Sequence, residues 1–204
     1  MSQAVFSQIC EEYVDETFRL YPVLATMAGV HQYDAELGDP SLGALRRQRD
    51  WLKLQATRLA DEVDESRLDA YERIDFLYLQ SRIKTGLLLL EDQEEAERNP
   101  TLYPDNCMYG FFLLFTREFA PLPDRLASLQ GRLETLPAFL EQVRGAAGTP
   151  PAIHTETAIA QNQGLISFVD GPMRAHFAAV PEQEAALNAA ADTAVAALTE
   201  HQTW

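Results

Sequence analysis

Leu126, Leu129, Leu133, Leu136, Leu140 and Val143 follow one another at spacings of three, four, three, four and three. Such a repeat sets one apolar side chain on each helical turn along a single stripe. The stripe is buried only by lying lengthwise against another helix. Pro137 falls inside the repeat without shifting its phase, so a kink is expected rather than a break, since proline removes one backbone donor and leaves the face aligned.

The rest of the chain has the same period, and no stretch shows sustained alternation flanked by turn residues. The expected fold is therefore all-α, a single domain over residues 1–204 with about seven to eight helices, several long and antiparallel. Val5, Ile9, Tyr13, Glu16 and Leu20 trace a first helix that ends or kinks at Tyr21-Pro22, and a short one follows over residues 23–28. Gly29 allows a positive φ, and an ordered loop then runs to Pro40 before Ser41 caps a helix over residues 42–60. That helix carries Arg46, Arg47, Arg49 and Lys53, a basic face able to meet the acidic runs. A second long helix is expected over residues 68–97, with Ile74, Leu77, Tyr78 and Leu88 on one side and Phe76, Leu79, Ile83, Leu87 and Leu90 on the other, a width that implies burial between neighbours. Asn99-Pro100 stops it, and residues 103–106 read as a turn. Residues 108–119 resemble a short buried helix, although periodicity alone does not separate it from a buried strand. Residues 145–151 form the clearest linker, and a helix over residues 152–177 is weakened by Gly164 and Gly171-Pro172. The last helix starts at Val180-Pro181-Glu182, with Leu187, Ala191, Ala194, Leu198 and His201 on one face.

Charge and cysteine use exclude several function classes. The formal net charge of -15 repels a phosphate backbone and an anionic membrane surface, so neither nucleic acid nor membrane is an expected partner. The acidic pairs at residues 61–65 and 91–97 read as solvated helix faces. Cys10 and Cys107 form no CxxC and are too few for a disulfide framework, which favours a reducing compartment and leaves a pairing between them open. No basic residue precedes an apolar run at the N-terminus, and the longest apolar runs fall well short of the ~20 residues a membrane span needs. These features lead to a cytoplasmic expectation.

Local catalytic motifs are missing from the sequence. Two histidines one helical turn apart, with a glutamate beside the first, would place both imidazoles on one zinc ion, and none of His31, His154, His176 and His201 has such a partner. Neither Gly-x-Ser-x-Gly nor Gly-x-Gly-x-x-Gly occurs. No catalytic, cofactor-binding or metal-binding residue is therefore assigned. The most function-like stretch is residues 29–34, which gathers His31, Tyr33 and Asp34 on a loop between helices. The competing reading has Asp34 capping a turn and His31 bonding a carbonyl. Arg117, Arg125 and Arg132 suit a bidentate grip on a substrate carboxylate, or pairing with Glu118, Asp124 and Glu134, and pairing is the expected outcome.

Taken in order, residues 20–34 (LYPVLATMAGVHQYD), Asn99-Pro100, residues 117–121 (REFAP) and residues 132–140 (RLETLPAFL) resemble the N-terminal half of bacterial proteins in the domain of unknown function 885 family. That family is similar to helical zinc metallopeptidases, whose HExxH helix lies in the C-terminal half. The resemblance implies that this chain is a wall or lid of a substrate cleft, with His31, Tyr33, Asp34 and Arg117 as possible lining residues. It also implies that zinc belongs to the C-terminal half and that the substrate is a peptide or small molecule.

The final helix has a start signal but no glycine, asparagine or basic cap before Trp204, and it reads as cut inside an element. A half-protein of this kind exposes apolar surface, so self-association is expected. The alternative is a stand-alone helical binding or scaffold module without enzymatic activity.

Overall fold

A computed structural model of the chain describes residues 2–204 and the side chains of residues 4–204. Its described residues form nine helices and no strand: α1 (Ser2–Leu20), α2 (Pro22–Ala28), α3 (Leu42–Glu62), α4 (Ala70–Leu87), the single turn α5 (Glu95–Arg98), α6 (Leu102–Thr116), α7 (Leu122–Ala146), α8 (Ala152–Asp170) and α9 (Glu184–Thr203). Short 3-10 segments cover His31–Tyr33, Glu65–Arg67 and Arg174–Ala179, and a π-helical turn covers Leu88–Asp92.

The helices are organised around two cores. α7 is the spine of the larger one. Its six-residue stripe is buried along its whole length, against Leu187, Ala191, Ala194 and Leu198 of α9 and Cys107, Phe111 and Leu114 of α6, with Leu165 and Val169 of α8 completing the core. Pro137 lies within a continuous α7, as its phase requires. In the smaller core, Phe6 and Ile9 of α1 meet Leu52 and Leu59 of α3 and Phe76, Leu79 and Ile83 of α4. The ends of these helices are set by local chemistry. Ser41 Oγ accepts from the Ala44 amide at 3.2 Å, and Asp69 and Glu72 complete a reciprocal capping box at the start of α4.

Several elements differ from expectation. The long helix over residues 68–97 ends at Leu87, passes through the π turn and meets Glu94 at φ +48°. Its tail gathers Glu91, Asp92, Glu94, Glu95 and Glu97 where the helix dipole disfavours negative charge. Glu91 instead turns to the basic face of α3 and pairs with Lys53 at 2.5 Å, the meeting of basic face and acidic run that the sequence suggested. Residues 103–106, expected as a turn, are the first turn of α6. Pro104 needs no amide partner there and Asp105 faces the positive dipole end. α8 stops at Asp170 before Gly171-Pro172, and residues 181–183 form a turn ahead of α9.

The Ile74, Leu77 and Tyr78 side of α4, expected to be buried between neighbours, is exposed instead. Tyr71 is 81%, Tyr78 66% and Ile74 63% exposed, with Leu77 beside them. The Phe76, Leu79 and Ile83 side packs against α1 and α3.

Candidate functional site at the His31 loop

α2 ends at Gly29, whose φ of +87° lets its amide reach back to the Ala25 and Thr26 carbonyls. An L side chain is strained in that left-handed conformation. The chain turns through the 3-10 segment and lies down on α7 where Gly131 leaves room. A Cβ on Gly131 would stand 2.9 Å from Ala35 Cβ and 3.3 Å from the Ala35 carbonyl oxygen. The residue after that glycine, Arg132, reaches into the loop from below.

Arg132 is completely buried. Its Nε donates to the Glu36 carbonyl at 2.9 Å, Nη1 to the Gly110 carbonyl, and Nη2 to Thr26 Oγ1 at 2.7 Å. The Thr26 hydroxyl passes the interaction on by donating to Asp34 Oδ1 at 2.6 Å. Asp34, itself buried, holds His31 Nδ1 at 2.9 Å through Oδ2. A carboxylate only accepts, so the hydrogen sits on Nδ1 and Nε2 is the nitrogen left for an outside group. The His31 ring stacks on Phe119 with centroids 3.7 Å apart and planes 11° apart, its side chain remaining 35% exposed. The Arg125 guanidinium lies 6.0 Å from the centre of the same Phe119 ring.

Burial pushes the Arg132 guanidinium down to about 10, against the opposing influence of Asp34, so it stays charged at neutral pH. Burial also pushes the thiol of nearby Cys107 up to about 12, offset in part by Arg132. Cys10 and Cys107 are both free thiols.

Of the four residues singled out in sequence, His31 and Asp34 are bonded to each other. Arg117 joins their neighbourhood by donating from Nη1 to the Met27 carbonyl at 2.7 Å. Tyr33 is half-buried on the side of Arg19, and no hydrogen bond ties it to the others among the described residues. His31 bonds the Asp34 carboxylate, where the competing reading of the sequence expects a carbonyl. The expected pairing of Arg117, Arg125 and Arg132 with Glu118, Asp124 and Glu134 is not found among the described residues. Arg125 donates to the Ala120 and Leu114 carbonyls at 2.9 and 3.0 Å, so all three arginines are spent mainly on main-chain oxygens. One signal could have revealed this. Arg125 and Arg132 stand one heptad apart, each immediately before a leucine of the α7 stripe, and therefore beside the buried face. Thr26 and Phe119 carried no such mark.

A separate pocket of about 400 Å³ opens between the start of α6 and the ends of α7 and α9, lined among others by Tyr103, Ile159, Asn162, His201 and Trp204. The Tyr103 hydroxyl donates to the Ala96 carbonyl, and burial raises its pKa to about 12. His201 Nδ1 is buried without a hydrogen-bond partner among the described residues. Burial, then the Arg144 charge, hold the His201 pKa below its usual value. Trp204 is mostly exposed and stacks on His201 at 5.7 Å. Among the described residues, no group of three or more His, Cys, Asp or Glu is placed to hold a metal ion. Among the described residues, too, no helix is long and apolar enough to cross a membrane.

The model of the family described as bacterial protein of unknown function (DUF885) matches residues 22–204, from the first residue of α2 onward and so across the whole His31 loop. The chain belongs to the DUF885 family. Among solved structures, a candidate lipoprotein of unknown function from Shewanella oneidensis is similar to it, with a TM-score of 0.85 and 26% sequence identity over 98% of this DUF885 chain. The chain spans only 36% of that protein's length. No curated protein matches it.

Proposed function

We propose that this chain forms a wall of the substrate cleft in a zinc-dependent, metallopeptidase-like hydrolase, and that the metal and the catalytic base are supplied from outside these residues. The observation that carries the reading is the way the His31 loop is held. A buried arginine, a threonine and a buried aspartate are all committed to fixing one partly exposed imidazole on an aromatic ring, an investment in orientation that a solvated surface loop does not need. Support also comes from the similar Shewanella protein, which is much longer than the segment the two share. The substrate in this reading is a peptide or small molecule.

Self-association through the outer face of α4 belongs to the same proposal. Tyr71, Ile74, Leu77 and Tyr78 give one helix an exposed apolar stripe, and a second copy is its occupant. A cytoplasmic location is part of it as well, supported by the two free thiols.

The decisive experiment is to read the gene downstream of codon 204 and to assay the 204-residue chain itself. An HExxH motif downstream, with no stoichiometric zinc retained and no hydrolysis by the purified chain, supports the cleft-wall reading. Turnover abolished by changing one of its own side chains overturns it. A stop codon at that point, together with a specific protein partner recovered on the α4 face, favours a stand-alone binding module instead.

A further inference from the structure

We propose that the pocket between the start of α6 and the ends of α7 and α9 binds an organic amine, an ammonium group carried on an aromatic body. The site lies at the opposite ends of α6 and α7 from the His31 loop and is independent of the cleft-wall reading.

The walls are mainly apolar, with Pro100 and Pro104 around the start of α6, Val143 from α7, and Ala158 and Ile159 from α8. Their volume of about 400 Å³ exceeds the ~150 Å³ of a cavity that takes a benzene ring, so a ring with a short arm has room. The polar atoms of the walls are unevenly used. Hydroxyl and side-chain amide donors are engaged. Tyr103 donates to the Ala96 carbonyl, and the Thr155 and Thr203 hydroxyls donate to the Pro151 and Glu200 carbonyls. Gln202 Nε2 donates to the Ile159 carbonyl at 3.3 Å, and Asn162 Nδ2 to the Leu198 carbonyl at 3.0 Å and to Gln202 Oε1 at 2.6 Å.

What remains for a ligand is an acceptor and a negative charge. Asn162 is only 4% exposed, and the Leu198 carbonyl, which can only accept, fixes which end of its amide is the nitrogen. Oδ1 then has no hydrogen-bond partner among the described residues and is not sealed in protein, so it opens into the pocket that Asn162 lines. A buried amide oxygen in that position calls for an N–H or O–H from outside. Glu97 is the one charged side chain lining the pocket, and no ion pair engages its carboxylate among the described residues. Its charge reaches the Tyr103 wall, where it helps to raise the pKa of that hydroxyl. Arg144, whose charge reaches His201, is paired with Glu200 at 3.4 Å. His201 itself is held neutral above pH 7, chiefly by burial. An unpartnered carbonyl oxygen and a carboxylate above apolar walls, in a chain of net charge -15, fit an arylalkyl ammonium and repel the corresponding acid.

The test is a titration of the 204-residue chain at pH 7.5 with 2-phenylethylamine, 2-phenylethanol and 3-phenylpropionate, which share a ring and a short arm and differ in charge. The Asn162 side-chain amide and the His201 ring are followed by NMR. The amine should give saturable shifts at both residues, with binding roughly tenfold weaker for the alcohol and weaker still for the acid. Glu97→Gln, at a half-exposed position, should lose about tenfold in affinity for the amine and leave the alcohol unchanged. Ala158→Phe should fill the pocket and abolish the shifts. If that variant does not fold, Glu97→Gln still decides. Acid bound as well as amine, an unchanged amine affinity in Glu97→Gln, or no saturable shift at tens of millimolar overturns the proposal. None of these outcomes touches the cleft-wall reading, which is decided by zinc, turnover and the downstream gene sequence.

Discussion

The α7 stripe and the outer stripe of α4 look alike in sequence and end differently. Leu126, Leu129, Leu133, Leu136, Leu140 and Val143 are sealed by α6, α8 and α9, whereas Tyr71, Ile74, Leu77 and Tyr78 face outward from the layer of α1, α3 and α4. Apolar periodicity specifies that a face is suited to burial. A neighbour on that side decides whether the burial happens, and the single-chain pattern contains no record of it.

The largest expected effect lies where the well-sealed region also hides a charge. Arg132→Leu strips the Glu36 and Gly110 carbonyls and Thr26 Oγ1 of their donor and takes the nearby positive charge from buried Asp34, which should cost about 3–5 kcal/mol of unfolding free energy in a urea titration. Leu133→Ala, one position along, should cost about 3 kcal/mol through lost burial and the cavity left behind. If Leu133→Ala were nearly neutral, the contrast between the two regions would collapse. Next comes a pH effect at the far end of α9. The folded-state pKa of His201 is lowered from a reference of 6.5, so the unfolded chain binds this proton more readily. Stability is then fully present above pH 6.5 and falls as pH drops below it. His201→Gln should flatten that part of the stability profile, measured between pH 7.5 and 5. The smallest change in monomer stability is expected at Leu77→Ala, within about 0.5 kcal/mol, as for an ordinary surface position. The same face sharpens the comparison in another way. Tyr78→Glu should leave folding intact and reduce the apparent mass in light scattering, if two copies meet across α4.

Legibility in the sequence followed the same division. Interactions set within one turn were readable. Ser41 capping α3, Gly29 closing α2 with a positive φ, and the phase-preserving Pro137 all stand where local chemistry puts them. The α7 stripe was readable because a three-four repeat needs a helical partner whatever its identity. Features that depend on distant residues were not. The break after Leu87 comes from a π turn and an acidic tail drawn toward Lys53. The fate of Arg125 and Arg132 depends on which carbonyls the α6 end and the loop after α2 happen to leave open. At the candidate site, the sequence drew attention to His31, Asp34, Arg117 and Arg132 but not to Thr26, 8 residues before Asp34, and it gave Arg132, 98 residues after Asp34, an acidic partner nearby in sequence where the fold gives it the loop. Together Thr26 and Arg132 give the loop its rigidity.

Cys107 turns this rigidity into something that can be timed. Its thiol lies wholly inside the core, near the same guanidinium that fastens the loop, and its high pKa leaves almost no thiolate at neutral pH. An alkylating reagent will therefore modify the half-buried Cys10 first and reach Cys107 only when the core opens. The lag between the two reactions is a built-in clock for how often the floor beneath His31 comes apart.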